Sequence, residues 1–125
     1  MAPTYNSGDI LVSFKTSKLN YGDVIAFYHG NKILIKRVIA SAGSWVTIDD
    51  DGNVYVDGEK LNEEYVENKK MGNSDIKYPY QVKDGQWFVL SDNRDDLIDS
   101  RNSEVGCVSS NDLIGKVLFK IYPIN

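Results

Sequence analysis

No stretch of this 125-residue chain keeps its apolar residues in step with a helix. Short apolar runs recur instead, punctuated by Gly, Asn and Asp, which is how a β-sheet protein marks off its strands. The pattern predicts strands at 10–14, 23–28, 33–39, 45–49, 53–56, 86–90 and 115–122. "HGN" joins the second to the third as a hairpin. "DDDGN" joins the fourth to the fifth, with Asp51-Gly52 a strong turn dipeptide. Residues 62–84 are polar and rich in Tyr, Lys and Asn, and read as a long surface excursion. The expected fold is therefore a single all-β domain over 1–125, mainly antiparallel. A folded or barrel-like sheet is expected, because so many strands need their edges managed.

Two features depart from this plain pattern. The strand ILIKRVIA, 33–40, carries Lys36 and Arg37 at its centre. Side chains alternate faces along a strand, so Lys36 goes with Leu34 and Val38, and Arg37 with Ile35 and Ile39. Both faces read as buried, and a buried cation is costly unless it is paired or gives up its proton. Arg37 cannot give up its proton and so requires an acid. A lysine buried among aliphatics loses its proton more readily, and a neutral amine is a general base. The plainer alternative is an edge strand whose Lys and Arg snorkel to water. The second feature is LSDNRDDLIDSR, 90–101, with four aspartates and two arginines in twelve positions. Folded over the strand, this loop would clamp both cations, with Asp99 expected on Arg37. Asp95-Asp96 reads as a solvated turn.

Composition excludes several classes. The net charge of −4 lacks the basic footprint of a nucleic-acid binder. One histidine, His29 at a turn tip, and one cysteine, Cys107, offer little to a metal, and neither a metal nor another cofactor is expected. Cys107 reads as a small packed residue and not a reactive thiol, since no basic neighbour accompanies it. Trp45 and Trp87 fall in strands, where packing is the default role. No run reaches the roughly 18 apolar residues of a membrane span.

Five stretches taken together resemble the boxes of type I signal peptidases: MAPT (1–4), YGDVIAF (21–27), LIKRVI (34–39), SDNRDDLIDSR (91–101) and GCVSSNDLIGKV (106–117). They stand in the family's order and span nearly the whole chain. The resemblance implies a largely antiparallel β fold and a Ser–Lys dyad that removes signal peptides from exported proteins. It makes Lys36 the general base. Ser91, Asp92 and Asn93 would form the loop behind the amine, and Arg37, Asp99 and Arg101 an ion cluster beside it. Met1, Pro3, Leu34 and Ile35 would line a groove where substrate adds as an extended strand. The partners implied are signal-peptide-bearing preproteins or pilin-type surface proteins. The place implied is the extracytoplasmic face of the membrane, reached through an anchor upstream of this chain.

The sequence also departs from the family's pattern. The aligned nucleophilic serine would precede Met1 and is expected upstream of the chain; Ser7 reads as a turn residue before Gly8. Leu97 stands where the family usually has a serine that bonds the lysine amine, and Ser91 where it has glycine. ASAGS (40–44) replaces the usual G-x-P-G-D turn. These changes gather around the lysine and leave a second expectation open: a divergent or inactive relative acting in pilus or surface-protein assembly. A self-cleaving repressor domain, with Ala42-Gly43 as the cut bond, is a weaker third.

Overall fold

The computed structural model describes residues 1, 4 and 10–121. Ten strands follow one another: β1 (Ile10–Phe14), β2 (Val24–His29), β3 (Lys32–Ser41), β4 (Trp45–Ile48), β5 (Val54–Val56), β6 (Glu59–Lys60), β7 (Tyr80–Gln81), β8 (Gln86–Leu90), β9 (Val108–Ser109) and β10 (Leu113–Ile121). They form a six-stranded sheet in the order β1-β10-β2-β3-β8-β9 and a four-stranded sheet in the order β6-β5-β4-β7. Every pairing is antiparallel. The all-β expectation holds, and all seven expected strands are present. The ends of β1 and β8 match the apolar runs residue for residue.

The longest strand, β3, links the two halves of the core. Its middle and β2 contribute Ile25, Phe27 and Val38 to a cluster with Trp87, Val89, Val108 and Leu113. Its end contributes Ile39 and Ala40 to a second cluster with Val46, Ile48, Val54, Phe88 and Leu90, which joins the two sheets. Alternation along one strand would put Val38 and Ala40 on one face. A register shift between them against β8 lets β3 serve both clusters. Trp87 lies in the core, whereas Trp45 is exposed.

Residues 62–84 hold little regular structure, but they do not stand away from the body. The tight turn between β4 and β5 approaches them closely. A Cβ on Gly52, whose φ is +85°, would lie 2.3 Å from the backbone nitrogen of Lys70. Gly52→Ala meets both a left-handed backbone and a backbone clash. It is expected to cost about 2 kcal/mol or more in a urea denaturation series, with little change for Gly58→Ala beyond its own backbone term of roughly 1 kcal/mol.

Candidate active site

The site lies where β3 meets the loop that follows β8. In the β2–β3 register Lys36 faces Ile25 across the strands, and along β3 it shares a face with Leu34 and Val38. These neighbours are apolar, and Lys36 is only 4% exposed. Two groups meet the amine. Lys36 Nζ donates to Ser91 Oγ at 2.9 Å and to Asp96 Oδ2 at 2.9 Å. The snorkelling alternative is thereby excluded: the side chain ends in the protein.

Arg37, on the other face, donates from Nε and Nη2 to the two oxygens of Asp92 at 2.8 and 2.7 Å. Its Nη1 donates to the Gly22 carbonyl at 2.8 Å, and its guanidinium stacks 4.2 Å from the centre of the Tyr65 ring. Arg37 thus has an acid, but it is Asp92 and not Asp99 as expected. Register gives the reason. Arg37 pairs with Leu90, so Asp92, two residues on, carries its side chain to the same side.

Asp99 is used inside the loop. It accepts from Ser91 N at 2.9 Å, from Arg101 N at 3.0 Å, and from the Arg101 guanidinium at 2.8 to 3.3 Å. Both side chains are fully buried. The remaining Arg101 donors go to the carbonyls of Met71, Arg94 and Asp96. Asp99 therefore fixes the backbone of Ser91, and Ser91 holds the lysine amine. Asn93 is exposed and does not touch the amine. Its side chain accepts from Asp95 N and its carbonyl from Asp96 N, which shapes the turn.

Four contributors were not legible as such. Asp96, expected in a solvated turn, is bonded to Lys36, and its Oδ1 accepts from Ile98 N at 3.0 Å. Burial works against the Asp96 carboxylate, but the bonds from Lys36 and Ile98 outweigh it and hold the group below the usual carboxylate range. The folded-state value is depressed, so the pair's contribution is complete above the unfolded value and fades as pH falls through the depressed one. Glu63 and Arg94 form a second wholly buried ion pair, tying the excursion to the loop. Tyr65 donates to Glu63 at 2.9 Å, and burial pushes its phenol above the ordinary value. Leu97 lies against Gly72.

The other expected residues fall around this centre. Met1 packs with Ile35 against Val24, Ala26 and Val117, and its sulfur accepts from Asp92 N at 3.4 Å. Thr4 bonds Asp92 as well. The Met1 side chain therefore lies against the loop that holds Lys36. Leu34 packs against the first core cluster. Pro3 and Ser7 lie outside the described residues. On one side β3 pairs with β2 over Lys32–Arg37, but on the other it pairs with β8 only from Arg37 onward. Among the described residues no strand covers the second edge at 32–36.

Ser91 has the right distance for a Ser–Lys pair but the wrong exposure. It is fully buried, so no scissile carbonyl can reach its hydroxyl, and it positions the amine. Cys107 is packed against the second cluster, and burial raises its thiol, as expected of an inert residue. Among the described residues no group of His, Cys, Asp and Glu could hold a metal ion, and no helix is long and apolar enough to cross a membrane.

A family model, "Signal peptidase, peptidase S26", matches residues 1–122. The chain belongs to that family. A probable signal peptidase I-1 of Synechocystis is 36% identical over 98% of this chain and 67% of its own length. The signal peptidase I of Bacillus licheniformis is 31% identical over the whole of this chain and 73% of its own. An inactive signal peptidase IA of Staphylococcus aureus is 30% identical over the whole of this chain and 75% of its own. The crystal structure of a signal peptidase I from Enterococcus faecalis superposes with a TM-score of 0.66 at 27% identity, over 84% of this chain and all of that one. The chain thus has the signal peptidase I fold, in a family of serine peptidases, and relatives named signal peptidase I and inactive signal peptidase IA stand at similar identity to it.

Proposed function

We propose that this chain is the catalytic domain of a signal peptidase I-like serine endopeptidase, with Lys36 as general base and the nucleophilic serine supplied by the residue that precedes Met1. The observation that carries this reading is a lysine amine, 4% exposed, at the end of a strand edge that no strand covers among the described residues, with the Met1 side chain against the same loop. Ser91 and Asp96 take two of the three hydrogens of the ammonium. The nucleophilic serine would take the remaining direction.

A preprotein would lie as an extended strand along the edge at 32–36, beside Leu34 and Ile35. The serine oxygen attacks the scissile carbonyl while neutral Lys36 takes its proton. Lys36 then gives that proton to the leaving amine, and the signal peptide remains as an ester on the serine. Water, deprotonated by Lys36, cleaves the ester and restores the serine. Backbone and hydroxyl donors near the nucleophile hold the oxyanion. Substrates are signal-peptide-bearing preproteins. The domain works at the extracytoplasmic face of the membrane, held by a segment upstream of this sequence.

The Asp96 contact favours a second reading. A carboxylate beside the amine favours the ammonium over the free base, Leu97 stands where the resemblance puts an amine-binding serine, and an inactive signal peptidase is among the relatives. Such a protein would keep the groove and bind pilin-type or other surface-protein segments without cutting them. Cleavage of a preprotein after an Ala-x-Ala site by the full-length protein, lost on Lys36→Ala, supports the peptidase. No cleavage across pH 6–10, with a residue other than serine before Met1, supports the binder.

A further inference from the structure

The charges around Lys36 are unevenly matched. Asp92 is held by Arg37, Asp99 by Arg101 and Glu63 by Arg94, and each of these acids is buried against a guanidinium that never gives up its proton. Asp95 reaches outward to Lys70, with both side chains at least half exposed. Asp96 alone among the loop's acids is paired with the lysine amine. Its other oxygen is pinned by Ile98 N, so the carboxylate is presented to the amine by the turn and does not reach it by chance.

We propose that Asp96 is a positioning residue that sets the pH at which Lys36 turns from an ammonium into a base. The proposal rests on Lys36 being the base of the reading above, but it concerns the charge of a contact that reading uses only for aim. With Leu97 turned to Gly72, Ser91 and Asp96 share the task of aiming the amine. Ser91 does so as a neutral oxygen that tolerates either form of lysine. Asp96 does so as an anion, which favours the charged form. The other groups facing the amine do not cancel this effect. Ile25, Leu34 and Val38 are apolar, the Arg37–Asp92 and Asp99–Arg101 pairs are internally neutral, and the Met1 amino group exists only where the chain starts at that residue. Asp96 therefore favours the ammonium at low pH, and the base becomes available as pH rises.

Asp96→Asn separates aim from charge. The amide oxygen still accepts from Ile98 N. The amide nitrogen then faces Lys36, where it can donate to the lone pair of a neutral amine but opposes an ammonium. In the protein labelled with 13Cε-lysine, with Lys36→Met assigning the resonance, the Lys36 titration midpoint is expected to fall by about one pH unit or more in Asp96→Asn. Asp96→Glu is expected to restore it. In the full-length protein the rising limb of kcat/KM against pH is expected to move down by the same amount, making the variant about tenfold faster at a fixed pH on that limb. An unchanged or raised midpoint in Asp96→Asn overturns the proposal, as does a kcat/KM that falls uniformly with no movement of the limb. The midpoint is read without turnover. A lowered midpoint in a protein that cuts nothing keeps the role of Asp96 and rejects the peptidase.

Discussion

Lys36→Met in the full-length protein is expected, on the proposed peptidase reading, to lower preprotein cleavage by about 1000-fold or more while leaving the β fold in place. General-base assistance is commonly worth 100- to 10,000-fold, and a dyad that acts as a unit loses nearly all of its rate when one member goes. The fold should survive because methionine refills a slot lined by Ile25, Leu34 and Val38 and removes a buried cation. Asp96 then loses its partner but is 35% exposed and can be solvated. Cleavage assays beside far-UV circular dichroism separate the two effects. Loss of both signals would mean that the amine is structural. Retention of cleavage would mean that another group takes the serine's proton.

The largest stability effect is expected at Asp99, which is buried inside the loop. Asp99→Ala strands the Arg101 guanidinium, fully buried, with carbonyl partners and no charge to balance it. Removing one member of a buried ion pair typically costs about 3–5 kcal/mol. The Ser91 amide and the Arg101 amide each lose an acceptor as well. The urea midpoint is expected to fall by on the order of 2 M. Double replacement of Asp99 and Arg101 by apolar residues should recover much of the loss. A change below about 1 kcal/mol for Asp99→Ala would show that the loop is held by its backbone contacts and not by this pair. Activity should fall with stability, because Asp99 fixes the Ser91 backbone and Ser91 fixes the amine.

The strands β1 and β8 were legible to the residue because each is an apolar run with clear punctuation. β6, β7 and β9 were not: Glu59-Lys60, Tyr80-Gln81 and Val108-Ser109 are too short to show alternation, and their pairing is imposed by neighbours. Lys36 and Arg37 stood out for a physical reason, being cations where both faces of a strand are apolar. Their partners could not be assigned in the same way. Four aspartates in one loop are chemically alike; strand register sends Asp92 to Arg37, and the turn geometry sends Asp96 to Lys36 and Asp99 to Arg101. The role of 62–84 was hidden because Glu63 and Arg94 lie far apart in sequence, and neither sits in an apolar pattern that would betray burial.

The most direct test of the account is covalent trapping at the dyad. The full-length protein is treated with an electrophilic peptide phosphonate bearing alanine at the cleavage position, and the adduct is mapped by mass spectrometry. The account predicts one adduct, on a serine immediately before Met1, that Lys36→Met abolishes. An adduct on any other residue, or one formed equally well without the Lys36 amine, would contradict it.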